Sequence, residues 1–196
     1  MVTKQQAAAA QDGDSKSART RQRILDAAAH VLSRKGYAGT RLSDVAEQAE
    51  VQAPAIYYYF ASREELIDEV MWSGTAQMRE HVETALSQVP DGTDPLERLM
   101  VAVEEHLRHE LELSDFASAS IRNAGQVPES TRERQVVEEN AYGEIWAAIL
   151  KEAAKEGLLR ADLDLYMAQM LIFGALNWTS EWWDPRRGSI DALVEN

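Results

Sequence analysis

Residues 42–60 read LSDVAEQAEVQAPAIYYYF, and this stretch decides the fold of the chain. Its first half carries apolar residues at i, i+3, i+4 and i+7, a stripe on one helix face formed by Leu42, Val45, Ala46 and Ala49. Thr40 stands just ahead as the expected N-cap. The pattern stops at residues 50–53, and Pro54 falls where the first turn of a new helix tolerates proline. The stretch therefore predicts two short helices joined by a turn.

The second short helix leaves part of its surface free to meet another molecule. Ile56, Tyr59 and Phe60 lie at i, i+3 and i+4, which turns the other side chains elsewhere at least in part. Small residues at the tip of a helix allow close approach to base edges, and phenols can hydrogen-bond phosphates. The pattern favours a helix-turn-helix that enters DNA.

A wider set of residues with the same spacing points to a known family. It comprises Gly36, Tyr37, Thr40, Asp44, Val45, Ala46, Ala49, Val51, Ile56, Tyr57, Phe60 and residues 62–66. Over residues 19–70 the chain resembles the TetR family of bacterial repressors. It departs from the family pattern at Gln52-Ala53-Pro54, where Ser-x-Gly is frequent, and at Arg63, where lysine is usual. The first departure leaves the fold expectation intact but makes the operator sequence unreadable from the chain.

The resemblance implies roles for individual positions in this segment. Phosphate contacts are assigned to Thr40, Tyr57, Tyr58 and Arg63, and Arg41 is added to the DNA-binding residues because it belongs to the basic cluster. Base edges, or the approach to them, are assigned to Ser43, Gln52, Ala53, Pro54, Ala55 and Tyr59. The partner implied is a double-stranded DNA operator.

Charge is distributed unevenly along the chain. The net charge is −13, yet residues 1–60 hold eight Lys or Arg and six Asp or Glu, so the remainder carries −15. Basic residues gather around the predicted motif, at Lys16, Arg19, Arg21, Arg23, Arg34, Lys35 and Arg41. A basic cluster of this kind is by itself commonly a solvated patch, but beside a helix-turn-helix it suits phosphate contact.

The rest of the chain shows helical periods and no convincing alternation of period two, which predicts an all-α fold. We expect a disordered tail over residues 1–18, a three-helix DNA-binding domain over 19–61 with Thr20 capping its first helix, and a larger helical effector-binding and dimerisation domain over 62–196. Ser62 and Glu65 form a capping box that opens a long helix joining the two. Further helices are predicted over 95–113, 115–123 and 128–155, and from Asp164 to before Pro185.

Residues 167–183, MAQMLIFGALNWTSEWW, are apolar nearly all round and cannot form a surface helix of a monomer. Two explanations stay open, a homodimer interface and a wall of a ligand cavity, and both can hold on different faces. The run from Gly174 to Trp178 with Trp182-Trp183-Asp184-Pro185 is similar to the C-terminal signature of TetR-family regulators that respond to acyl-CoA thioesters. That resemblance implies a small-molecule effector, an acyl-CoA among the candidates.

Six side chains are predicted to line a cavity for a bulky apolar effector: Met78, Trp146, Met170, Phe173, Asn177 and Trp178. The bland alternative is that the tryptophans only pack an interface. If the effector carries phosphates, the arginines available to meet them are Arg122, Arg132, Arg134, Arg186 and Arg187.

Several function classes find no support in the sequence. There are no cysteines and no signal-peptide pattern, and no apolar run reaches the ~20 residues that span a bilayer, which favours a cytoplasmic protein without a membrane partner. Residues 104–110, EEHLRHE, contain a possible metal pair but are predicted to be a solvated charged face. No catalytic, metal or cofactor motif appears, so the chain is predicted not to be an enzyme. The rivals to a homodimeric repressor are a helical ligand-binding or scaffolding protein that does not bind DNA, and an all-α enzyme with an unrecognised site.

Overall fold

The computed structural model describes residues 4–129, 132–186 and 188–195, with side chains from Lys16 onward. Within these residues there are helices and turns and no strand, which confirms the all-α prediction. The helices are α1 (Lys4–Gly39), α2 (Leu42–Gln48), α3 (Ala53–Tyr59), α4 (Arg63–Ser87), α5 (Pro95–Arg108), α6 (Asp115–Asn123), α7 (Glu133–Lys155), α8 (Leu165–Trp182) and α9 (Ile190–Val194).

Helix α1 differs from its prediction at the N-terminal end. Its backbone is helical from Lys4, where a tail over residues 1–18 was expected, and residues 1–3 lie outside the described part. The Thr20 hydroxyl donates to the Lys16 carbonyl inside the helix and therefore does not cap it. An alanine run at 7–10 has high helix propensity, so a helix already formed further along can extend through it. At its other end α1 kinks at Gly36, which has φ +68° and ψ 174°, as the predicted stop requires.

Helices α2 and α3 form the predicted pair of short helices with a turn between them. Arg41 is the N-cap of α2, and the prediction of Thr40 in that position was wrong. Thr40 is buried and uses its hydroxyl to donate to the Gly36 carbonyl at 2.8 Å. Pro54 lies in the first turn of α3, where the lack of an N–H costs no intrahelical hydrogen bond.

Helix α4 is shared by two hydrophobic cores. The Ser62 hydroxyl accepts from the Glu65 amide, and the Glu65 carboxylate accepts from the Ala61 amide, so the predicted capping box forms with a one-residue shift. The first core packs α1, α2 and α3 against residues 66–71 of α4 and part of α6, and the second packs residues 78–82 of α4 against α5, α7, α8 and α9. No helix in 4–129, 132–186 and 188–195 has the length and hydropathy needed to cross a membrane.

The helices of the larger domain follow the predictions with shifted ends. The helix expected over 95–113 becomes α5 followed by a π-helical turn, His109–Leu113. Helix α6 has the predicted bounds, α7 begins at Glu133 and α8 begins after its N-cap Asp164. Helix α9 was not predicted.

Helices α4 and α6 cross at Gly74. A Cβ atom added there would overlap the Phe116 carbonyl oxygen and would lie 2.8 Å from Ser120 Cβ. Because a Cβ at position 74 would meet backbone atoms of α6, any larger residue there would force the two helices apart.

We expect Gly74→Ala to lower the free energy of unfolding by about 1 to 3 kcal/mol, because the added methyl group forces the two helices apart. Chemical denaturation measures the change. Gly125→Ala is the matched control, since a Cβ there meets nothing within 4 Å. Equal unfolding midpoints for the two variants would contradict the close crossing.

Candidate nucleic-acid interface and ligand cavity

Most side chains assigned to DNA are exposed on α2 and α3 or at their N-caps. Tyr57 and Tyr58 are 60% and 81% exposed, and Arg41, Ser43, Gln52 and Pro54 are also exposed. Ala53 and Ala55 are half-buried beside them. Tyr59 is turned partly into the first core, with its ring edge-on to Tyr58 at 5.0 Å. The structure thus presents two free phenols and a tip of small residues.

Two residues assigned to phosphates are instead engaged within the protein. Thr40 is 3% exposed, so its hydroxyl cannot reach a phosphate in this conformation. Arg63 donates from Nε to the Thr40 carbonyl at 2.8 Å, hydrogen-bonds the Tyr37 carbonyl and stacks over the Tyr37 ring. Its guanidinium therefore ties the start of α4 to the last turn of α1 and to Thr40, a role that the sequence pattern did not reveal.

Part of the basic cluster is also paired intramolecularly. Arg21 contacts Glu69 and lies over the Phe60 ring, and Arg23 donates to the Ala49 carbonyl. Lys35 bonds Asp44 at 2.8 Å, and this hydrogen bond lowers the pKa of the Asp44 carboxyl. These cations hold α1, α2 and α4 together, whereas the side chain of Arg41 at the N-cap of α2 is exposed.

Helix α6 is clamped onto the kinked end of α1 by the buried side chain of Asn123. Its Oδ1 accepts from the Tyr37 amide at 2.7 Å, while Nδ2 donates to the Leu32 and Ala119 carbonyls. Tyr37 and Leu32 lie on opposite sides of the Gly36 kink. One amide group therefore bonds backbone groups on both sides of the kink in α1 and a carbonyl of its own helix.

An ionic cluster supports the same contact. Asp115 at the start of α6 bonds His30 at 2.9 Å and Arg34 at 3.1 Å. Burial would raise the pKa of the Asp115 carboxyl, but the hydrogen bonds from His30 and Arg34 outweigh it and lower the pKa. Arg122, also on α6, donates to the Ser33 carbonyl. Helices α1 to α3 are thus attached to the larger helical domain through α6 as well as through α4.

Helices α4 to α8 line a cavity of about 750 Å³ that is partly open to solvent. Helix α6 contributes Ala117, Ser120 and Ile121 to the wall, and Ala124 follows at its C-cap, so the helix that clamps α1 also borders the cavity. The volume lies in the range of pockets for small molecules and cofactors.

Four of the six residues predicted to line the cavity do so: Met78, Met170, Phe173 and Asn177. The prediction was wrong for Trp146 and Trp178. Trp146 is fully buried behind the wall, with its ring 5.2 Å from that of Phe173, and Trp178 is 63% exposed on the outer side of α8. The helical period of α8 could not show which of its side chains face the cavity, because all faces of α8 are apolar. Polar wall residues that the sequence reasoning missed include Thr75, His106, Tyr142 and Gln169.

The arginines proposed for effector phosphates are occupied. Arg122 pairs with Glu181, Arg132 with Glu139, Arg134 with Glu69 and Asp68, and Arg186 with Asp184. Arg187 lies outside the described residues. A phosphorylated ligand would have to exchange a carboxylate partner to meet any of these four side chains.

The prediction that residues 104–110 form a solvated face was wrong for His106, His109 and Glu110. His106, His109 and Glu110 are 2%, 8% and 2% exposed. The π-helical turn changes the helical register after Arg108, and the apolar positions 99, 102, 103 and 107 place this group on the inner face. That apolar period was the signal that could have located it. Among the described side chains, no set of three potential ligands is arranged to hold a metal ion.

His109 should make stability depend on pH. Burial, with repulsion from His81 and His106, lowers the pKa of His109 to about 4 from an ordinary value of 6.5. Between these pH values the unfolded chain binds a proton that the folded chain rejects, so stability is complete above pH 6.5 and falls as the pH drops toward 4. We expect a loss of about 2 to 3 kcal/mol in unfolding free energy across this window.

Denaturant titrations from neutral pH to pH 4 measure this loss. In the His109→Phe variant, which cannot take up the proton, the decline should be smaller than in the wild type by that amount. Parallel curves for the two proteins would contradict the assignment to His109.

Comparison with known proteins places these features in one family. The profile described as "Bacterial regulatory proteins, tetR family" matches residues 24–70, and "Tetracyclin repressor-like, C-terminal domain" matches residues 92–192. The chain belongs to the TetR family. Both matched families are regulators, which confirms the predicted class and the prediction that this TetR-family protein is not an enzyme.

Relatives of this TetR-family protein span most of its length. It is 26% identical over 162 residues to the fatty acid metabolism regulator protein of Bacillus subtilis, covering 82% of this chain and 81% of that one. It is 26% identical over 178 residues to the transcriptional repressor KstR2 of Mycobacterium tuberculosis, covering 86% and 83%. The structure of AibR in complex with isovaleryl coenzyme A and operator DNA superposes with a TM-score of 0.78 at 20% identity, covering 89% of this chain and 96% of AibR.

Proposed function

We propose that this TetR-family regulator is a homodimeric repressor that binds a palindromic operator and is released by a bulky apolar effector of the acyl-CoA thioester class. The single observation that carries the proposal is the cavity of about 750 Å³ whose α6 wall also clamps the DNA-binding helices. We place the protein in the cytoplasm, because a regulator that acts on bacterial DNA works there.

The exposed face of α2 and α3 supports the DNA side of the proposal. Insertion of α3 into a major groove would bring Tyr57 and Tyr58 to the phosphates and the small residues at positions 53–55 to the base edges. Two such helices in a dimer read half-sites separated by about one helical turn, ~34 Å, or a multiple of it.

Helix α8 supports the dimer. In the single chain it exposes a run of large apolar side chains, Tyr166, Met167, Leu171, Trp178 and Trp182, with exposed fractions of 50% to 76%. A soluble regulator gains by covering such a face, and a two-fold axis lets the same helix of a second copy cover it. That symmetry matches a palindromic operator.

Release requires that the effector binds the free form better than the DNA-bound form, since equal affinity would shift nothing. Helix α6 offers a route in addition to α4, because an effector that displaces the Ser120 to Ala124 side of the helix also moves Asn123 and Arg122, which bond α1. We expect a coupling free energy of about 1 to 3 kcal/mol between the two sites.

The acyl-CoA class is supported by relatives and by the chemistry of the wall. AibR has been crystallised with isovaleryl coenzyme A, and the Bacillus subtilis relative is a fatty acid metabolism regulator. Met78, Met170 and Phe173 supply adaptable apolar surface for an acyl group. The phosphates of the coenzyme A moiety would lie at the surface. There they must compete with Glu181 and Glu139 for Arg122 and Arg132.

The experiment is a titration of acyl-CoA thioesters, varied in chain length and including sterol-derived acids, against the operator complex, with the corresponding free acids as controls. A thioester should weaken operator binding about 5- to 150-fold, and its free acid should be less effective. Unchanged operator affinity across the whole series would remove the acyl-CoA assignment and leave the repressor standing.

The alternative function, a helical protein that does not bind DNA, is tested by measuring how binding to the promoter beside the protein's own gene depends on salt. Phosphate neutralisation makes affinity fall steeply with salt, with a slope set by the number of contacts. Failure to bind any genomic fragment at low salt would favour a helical ligand-binding or scaffolding protein.

A further inference from the structure

The cavity has a mouth, where its wall residues are exposed, and an inner end, where they are buried. The residues at the mouth come from α7 and α8: Asn140, Glu144, Tyr166, Met170 and Asn177. The residues at the inner end are Thr75, Met78, His106, Ser120 and Tyr142. A ligand whose apolar body reaches the inner end therefore leaves its head group among the exposed residues of α7 and α8.

The described part of the cavity wall carries carboxylates but no lysine or arginine. The carboxylates belong to Glu139 and Glu144. Helix α8, which forms one side of the mouth, has no basic residue between Leu165 and Trp182. An anion that enters the cavity would thus lose hydrating water and gain no lysine or arginine of the wall in exchange.

The two carboxylates differ in how they are paired. Glu139 accepts from Arg132 with both oxygens at 3.1 Å and from Gln135 Nε2 at 2.9 Å. The Glu144 carboxylate has no ion pair or hydrogen bond with another described side chain. The residues three and four positions away from it on α7 are alanine or asparagine, so no cation lies one helical turn away. Glu144 therefore places at the mouth a negative charge that no neighbouring side chain neutralises.

The free acid and the thioester of one acyl group differ in charge at the head group. At neutral pH the acid ends in a carboxylate, whereas the thioester is uncharged. With the acyl chain directed to the inner end, the carboxylate of the acid would approach Glu144 and be repelled by it. In a CoA thioester the phosphates lie at the far end of the pantetheine arm, so the group that passes Glu144 is uncharged.

We propose that Glu144 makes the mouth of the cavity a charge filter, which admits an uncharged acyl derivative and rejects the corresponding carboxylate. Glu144 is a specificity-determining residue of the effector site, and it acts by repulsion without a bond to the ligand. The filter rests on the proposed acyl effector, and it names the residue by which the regulator tells the activated acyl group from the free acid.

The test compares four ligands of equal chain length: the CoA thioester, the N-acetylcysteamine thioester, the free acid and the primary amine. The N-acetylcysteamine thioester keeps the uncharged head group and lacks the phosphates. The amine carries one charge of the sign opposite to that of the acid. Calorimetry on the full chain at neutral pH gives Kd for each ligand. We expect the acid to bind about 5- to 30-fold more weakly than the N-acetylcysteamine thioester and the amine, the effect of one charge at a partly exposed site.

Two variants change the charge at the mouth. Glu144→Gln removes the charge, so the ratio of the acid Kd to the amine Kd should fall toward one. Glu144→Lys reverses the charge, so the acid should bind more tightly than the amine. Glu156→Gln makes the same charge change as Glu144→Gln at the C-cap of α7, outside the cavity wall and about 18 Å further along the helix, and should keep the wild-type ratio. Because each result is a ratio of Kd values within one variant, a partial loss of folded protein does not alter it.

The outcomes separate the filter from the acyl-CoA response. A ratio of acid Kd to amine Kd that follows the charge at position 144 supports the filter. Equal binding of acid and amine by the wild type, or a ratio that stays the same in Glu144→Gln and Glu144→Lys, overturns the filter and leaves the acyl-CoA response standing if the CoA thioester binds. If the N-acetylcysteamine thioester binds better than the acid and the CoA thioester does not bind, the acyl-CoA response falls and the filter stands. If neither thioester binds at any chain length, both proposals fall.

Discussion

Asn123→Ala is expected to lower the free energy of unfolding by about 2 to 4 kcal/mol and to weaken the link between the cavity and the DNA-binding helices. The Asn123 side chain is fully buried and makes three hydrogen bonds to backbone groups of Tyr37, Leu32 and Ala119. Alanine removes the side-chain partners of the Tyr37 amide and the Leu32 carbonyl, which lie on either side of the Gly36 kink.

Chemical denaturation measures the first effect, and operator release by effector measures the second. Asn140→Ala removes the same side chain from an exposed position on α7 and should leave the unfolding midpoint nearly unchanged. In Asn123→Ala the ratio of operator affinities without and with effector should shrink. A wild-type unfolding midpoint together with a wild-type ratio would show that α6 does not hold α1 in this way.

The double variant Tyr57→Phe, Tyr58→Phe should raise the operator Kd about 10- to 100-fold, because each hydroxyl is assigned a phosphate contact. Since both side chains are largely exposed, the thermal midpoint should stay at the wild-type value. Fluorescence anisotropy with labelled operator measures Kd. An unchanged Kd would show that the Tyr57 and Tyr58 hydroxyls do not contact the operator.

The salt dependence of Kd separates this effect from that of the exposed cation Arg41. Tyrosine is uncharged, so the double variant should keep the slope of log Kd against log salt. Arg41→Gln removes one cation and should reduce that slope by about one. An unchanged slope in Arg41→Gln would show that Arg41 does not contact a phosphate.

Much of this protein was accessible to sequence reasoning because its signals are local. The apolar stripe at Leu42 and Val45, the proline at the start of α3 and the Ser62 capping box each depend on neighbours within a few residues. Local hydrogen bonding and helical period set such features whatever surrounds them. The glycine stop at Gly36 belongs to the same group, because its positive φ is a property of one residue.

Where each polar side chain is used depends instead on contacts between distant segments. Thr40 and Arg63 match DNA-contacting positions of the family, yet here they bond the backbone at Gly36, Tyr37 and Thr40. Trp146 and Phe173 look alike in period, but only Phe173 faces the cavity. Spacing along a helix specifies a face, and the neighbour against that face is chosen by the packing of other helices.

The sequence by itself determined the all-α architecture, the helix-turn-helix and the family, because each rests on patterns within short stretches of chain. Only the tertiary structure decided that residues 104–110 turn inward, that Asn123 joins α6 to α1, and that His106 and Tyr142 meet at the end of a cavity. These three features bring together residues that are 36 or more positions apart or depend on a register change at a π-helical turn. Such contacts arise from the way whole helices pack, and no local pattern encodes them.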